Sequence, residues 1–102
     1  MGSTFPQVMS RLRGETPYDL GYARAWVWYR QDPVTLQDIR DFRRRYRFNV
    51  NPFHAARMKG EDIAQYVFMR KSNWWRRGFV KGYVDAFRHK GNLNRVSYAP
   101  AA

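Results

Sequence analysis

The densest group of chemistry-bearing side chains is Arg40, Arg43, Arg44, Arg45 and Arg47. Guanidinium groups form planar, paired hydrogen bonds to phosphate and carboxylate oxygens, so the cluster is suited to binding an anionic partner. Helical spacing sets Arg40, Arg44 and Arg47 on one face that carries no acid, with Arg43 beside them. Arg40, Arg43, Arg44 and Arg47 are therefore the candidate anionic-partner face. The alternative is a solvated charged face offset by Asp38 and Asp41.

Bond-making chemistry finds less material. The acids Asp38, Asp41, Glu61, Asp62 and Asp85 sit where helix capping or local pairing accounts for them. His54 and His89 fall on separate helices without a cysteine or acid at ligand spacing. The chain has no cysteine, which excludes disulfides and thiolate metal sites. No glycine-rich phosphate loop or serine-nucleophile motif is present. The expectation is a protein that is not an enzyme and holds no cofactor or metal.

The second constellation is aromatic. Trp75, Phe79, Tyr83 and Phe87 recur at four-residue steps, with Gly78, Gly82 and Ala86 as a small-residue stripe alongside. The apolar and small positions cover more than the ~100° arc that a surface helix needs. This width predicts packing on two sides and a partner. Trp26, Trp28, Trp74, Trp75, Phe79 and Tyr83 are the candidate aromatic anchors, since large aromatics dominate interface energetics. The glycine stripe permits a close helix crossing, internal or between subunits.

Net charge is +11 with a pI of about 10.7, and arginine greatly outnumbers lysine. Such a field favours nucleic acid, anionic lipid headgroups or an acidic protein. Aromatic residues make up 18% of the chain, too many for a disordered basic tail. No run approaches the ~20 apolar residues of a membrane span. The first fourteen residues lack acids and carry Ser3, Ser10, Arg11 and Arg13, resembling an organelle transit peptide.

Four helices must position these groups, giving an all-α bundle of three to four amphipathic helices. Residues 1–17 read as an irregular extension, 18–91 as one helical domain and 92–102 as an extended tail. The first helix is expected at about residues 18–31, stopped by Asp32-Pro33. Thr35 with Asp38 forms a capping box for a second at about 36–46, with Leu36, Ile39, Phe42 and Tyr46 inward. Asn51-Pro52 opens a third at about 52–71, facing Phe53, Ala56, Gly60, Ile63, Ala64, Val67 and Phe68 inward. Ser72-Asn73 caps the fourth, which Gly91 ends.

Trp28-Tyr29-Arg30 near the end of an aromatic helix resembles the Leu-Tyr-Arg motif family of small mitochondrial helical proteins, with Trp28 in place of the leucine. Ile39-Arg40-Asp41-Phe42-Arg43 and Lys59-Gly60 with Ile63 follow in a similar order, over about residues 22–66. The resemblance implies a mitochondrial complex subunit, on the matrix side or associated with the inner membrane, that docks an acyl carrier protein on Arg40, Arg44 and Arg47. The expected function is a non-enzymatic accessory subunit of a large assembly, a respiratory or ATP synthase complex. The alternative is a small basic nucleic-acid-binding protein of a ribosome, virus or phage, for which interleaved aromatics and arginines are also suited.

Overall fold

The computed structural model describes residues 16–47 and 49–89. They form four helices: α1 (Pro17–Gln31), α2 (Leu36–Tyr46), α3 (Pro52–Tyr66) and α4 (Asn73–His89), with no strand among the described residues. The architecture is all-α. The expected N-terminal extension up to residue 15, the Gly91 stop and the tail from residue 92 lie outside the described residues.

Each helix starts where a side chain satisfies an otherwise orphaned backbone N–H. Thr16 Oγ1 accepts from Asp19 N at 3.1 Å, with Pro17 in the first turn. Thr35 and Asp38 complete the capping box through bonds of 3.1 and 2.9 Å. Asn51 Oδ1 accepts from His54 N at 2.7 Å, and Ser72 Oγ from Trp75 N at 3.1 Å. Helix α2 ends on Arg47, the one non-glycine residue with positive φ (64°) among the described residues.

Helix α4 is the centre of the molecule. On one side it crosses α1 at backbone contact. A methyl group on Gly82 would stand 2.5 Å from the Tyr22 carbonyl oxygen and 2.9 Å from Ala25 Cβ. One on Gly78 or Gly21 would collide with the carbonyl oxygen of Tyr18 or Trp75. The small-residue stripe is thus an internal crossing. On its other side α4 packs against α3, where Gly60 lies under the Tyr83 ring.

This double coverage corrects the expectation for the aromatic ladder. Phe79 and Tyr83 are fully buried, and Trp75 and Phe87 nearly so. Trp75 stacks on Phe79 and Phe79 on Tyr83, with Tyr29 edge-on to Tyr83 at 5.0 Å. Trp75, Phe79 and Tyr83 are core residues, not partner anchors. The wide apolar arc has its two partners within the chain, because α1 meets the glycine side and α3 the other.

Helix α3 is also shorter than expected. It ends at Tyr66, and the next turn is irregular, with Phe68 N bonded to Ile63 O at 3.3 Å and Lys71 N to Phe68 O at 3.0 Å. The break lets Phe68 swing in against Trp28, Trp75 and Phe79, at centroid distances of 5.3, 4.8 and 5.0 Å. Val67 then faces solvent, as do Phe53 and Tyr46, three positions expected inward.

The α1–α2 connection is held by a polar node. Lys59 Nζ lies 2.8 Å from Asp32 Oδ1, 2.7 Å from Asp38 Oδ2 and 2.8 Å from the Pro33 carbonyl oxygen. The Tyr83 hydroxyl donates to the Asp32 carbonyl oxygen at 2.6 Å. Burial pushes the Tyr83 phenol well above its ordinary range, and burial likewise raises Tyr29. Both phenols keep their protons in the folded state at pH values where the unfolded chain releases them. The stability they confer is whole below pH ~10 and falls by about 1.4 kcal/mol per pH unit for each above it. A pH series of chemical melts should show a level stability between neutrality and pH ~9, then a steep alkaline decline that Tyr29→Phe makes shallower.

Candidate partner-binding surfaces

The α2 arginine face is present and exposed, but its members differ. Arg44 is committed to Asp41 at 2.7 Å, and Gln37 bonds the same carboxylate oxygen at 2.9 Å. Bonds from Gln37 first, and then Arg44, hold the Asp41 carboxyl below its usual range. Arg45 bridges to Asp62 at 2.9 Å and lies over the rings of Phe42 and Tyr46. Arg40, Arg43 and Arg47 are exposed and make no ion pair with a described carboxylate. The open part of the face is these three guanidinium groups.

The tryptophans separate in the same way. Trp26 and Trp28 are partly buried and pack against the core. Trp28 Nε1 donates to Asp32 at 3.1 Å, and the Trp26 ring meets His89 at 5.2 Å. Neither is a free anchor. Trp74 is half exposed, resting on Tyr18 at 5.0 Å. Of the six candidate aromatic anchors it alone offers a large open face.

A surface that sequence spacing did not reveal lies between α3 and α4. An open groove of about 1200 Å³ runs along both helices. Phe53, Ala64, Val80, Val84 and Trp74 give it an apolar floor. Around them stand Arg57, Arg76, Arg77, Lys81 and Arg88, with Glu61 the one carboxylate in the lining. Glu61 is bonded to Arg57 and Asp85 to Lys81, each at 3.4 Å, Arg88 lies over the Phe53 ring at 5.4 Å, and Arg77 is exposed with no carboxylate partner among the described residues. Apolar floor and cationic rim match the two faces of an acidic amphipathic helix. The groove draws on residues from 53 to 88, too far apart for a motif. The one readable signal was the absence of any acid from residue 63 to 84.

Among the described residues, no three His, Asp or Glu side chains gather as a metal site would require. No helix among them is long and apolar enough to cross a membrane. Comparison with known protein families, curated proteins and solved structures gives no match for this chain.

Proposed function

We propose that the protein is a non-enzymatic accessory subunit that docks onto an acidic amphipathic helix of a larger assembly through the α3–α4 groove. The observation that carries this reading is the groove itself: half-exposed Phe53 and Trp74 on an apolar floor within a ring of five cations. Large exposed apolar groups rimmed by charge are a common feature of protein-binding surfaces. The resemblance around Trp28-Tyr29-Arg30 points to a mitochondrial respiratory or ATP synthase complex as that assembly, and to a mitochondrial location. An acyl carrier protein, the partner that the resemblance implies for Arg40, Arg44 and Arg47, would meet a face on which Arg44 is already paired.

The second reading is nucleic-acid binding through α2, favoured by the three guanidinium groups of Arg40, Arg43 and Arg47, which have no carboxylate partner among the described residues. Copurification separates the two. With the tagged protein expressed in its native cell, Phe53→Ser/Arg77→Glu should reduce recovery of the partner protein about tenfold or more. Arg40→Glu/Arg43→Glu should leave it unchanged. The opposite pattern, with nucleic acid recovered and lost on reversing Arg40 and Arg43, would establish the second reading instead.

A further inference from the structure

The α3–α4 turn, which adjoins the groove at Trp74, points to a lipid contact. The turn after α3 ends on four exposed apolar side chains: Tyr66 (70% exposed), Val67 (53%), Met69 (65%) and, at the start of α4, Trp74 (50%). This turn is fixed in place. Phe68 is packed between Trp28, Trp75 and Phe79, so its neighbours Val67 and Met69 are turned outward. Arg76 donates to the Met69 carbonyl oxygen at 2.9 Å and to Asn73 Oδ1, tying the turn back to α4. Lys71 lies over the Trp75 ring at 5.3 Å, and Arg70 beside it is exposed.

Along the chain, charge here has one sign only, with Asp19 of α1 next to the Tyr18 that rests on Trp74. Residues 63–84 contain Arg70, Lys71, Arg76, Arg77 and Lys81 and no acid. A protein partner would have to bury Val67 and Met69 while matching the cations beside them. A bilayer surface does both at once. Its headgroup layer accepts tyrosine and tryptophan, the acyl boundary accepts the aliphatic side chains, and anionic phosphates meet the lysine and arginine groups.

From this arrangement we infer that the α3–α4 turn is a membrane-docking tip, with Val67 and Met69 inserted at the acyl boundary of an anionic bilayer and Arg70 and Lys71 on the lipid phosphates. The contact lies at the end of the bundle, shares Trp74 with the groove, and leaves Phe53, Val84 and Arg88 uncovered; Val67 and Met69, on which the test turns, are not part of the groove lining.

Vesicle cosedimentation of the full chain tests it, using phosphatidylcholine alone and an equal mixture of phosphatidylcholine and phosphatidylglycerol. The protein should bind the mixed vesicles at physiological salt and bind phosphatidylcholine weakly. Val67→Ser/Met69→Ser, which keeps every charge and changes only exposed side chains, should lower the partition coefficient about tenfold or more. Arg40→Ser/Arg43→Ser, which removes charge elsewhere, should lower it less. Bromine on the acyl chains should quench tryptophan fluorescence, and Trp74→Phe should remove most of that quenching, since Trp75 is buried.

Unchanged binding of Val67→Ser/Met69→Ser would reduce the interaction to nonspecific attraction of a basic protein and overturn the inference. So would concentration-dependent self-association lost in that variant without vesicle binding, which would make the tip a protein contact.

Discussion

Gly78→Ala or Gly21→Ala should lower stability by about 3 kcal/mol, or roughly 10–25 °C in Tm for a domain of this size. The sign is contrary to helix propensity, under which alanine gains about 1 kcal/mol over glycine in a helix interior. Propensity loses here because of what the added carbon meets. At Gly78 it would stand 2.8 Å from the Tyr18 carbonyl carbon and 3.0 Å from Tyr18 Cα, besides colliding with the carbonyl oxygen. At Gly21 it would meet the Trp75 carbonyl and stand 3.0 Å from Phe79 N. Backbone cannot rotate aside as a side chain does, so α1 and α4 must separate and loosen the stacked Trp75, Phe79 and Tyr83. Gly60→Ala is the internal comparison. Its carbon would stand 3.3 Å from Tyr83 Cβ, so the small clash and the propensity gain nearly cancel, and the change should stay within about 1 kcal/mol. Thermal and chemical melts of the three variants would check the ordering.

Lys59→Met should cost about 2–3 kcal/mol. The Lys59 side chain is 14% exposed, and its ammonium holds two carboxylates and a carbonyl oxygen. Removing one partner of a buried charge pair can cost 3–5 kcal/mol. The lower figure applies because the Asp32 side chain is 45% exposed and recovers part of its hydration. The loss should propagate, since the Asp32 carbonyl oxygen takes the Tyr83 hydroxyl and Asp38 caps α2. Combining Lys59→Met with Asp32→Asn should cost less than the sum of the two single changes, because one of the two stranded carboxylates is gone. A double-mutant cycle from urea melts measures this; additive losses would mean that the pair contributes nothing.

Three helix starts were legible in the sequence because each is set by a local side chain: Thr35, Asn51 and Ser72 each bond a backbone N–H three residues on; Thr16, which does the same for α1, fell within the stretch read as an irregular extension. The close crossing was legible too, as Gly78, Gly82 and Ala86. Its direction was not. Four-residue spacing defines a face of α4 but does not say whether that face meets α1, α3 or another molecule, so Trp75, Phe79 and Tyr83 read as anchors when they are core. The end of α3 was missed because nothing in Tyr66-Val67-Phe68-Met69 breaks a helix locally; Phe68 leaves it for a tertiary pocket formed by Trp28, Trp75 and Phe79. Spacing along α3 gave no sign of the role of Lys59, since its carboxylates come from the distant α1–α2 connection. The arginine cluster was visible as composition, but only side-chain geometry distinguishes the paired Arg44 and Arg45 from the open Arg40, Arg43 and Arg47.

The central claim is that a partner helix lies in the α3–α4 groove. The most direct measurement places a photo-crosslinking residue at Phe53, on the groove floor, and in a second protein at Arg43, on the α2 face. Crosslinked peptides would be identified after irradiation in the native cell. The Phe53 position should capture one acidic, helix-forming segment of a neighbouring subunit, and the Arg43 position should not. Capture of the same protein segment from Arg43 and none from Phe53 would contradict it.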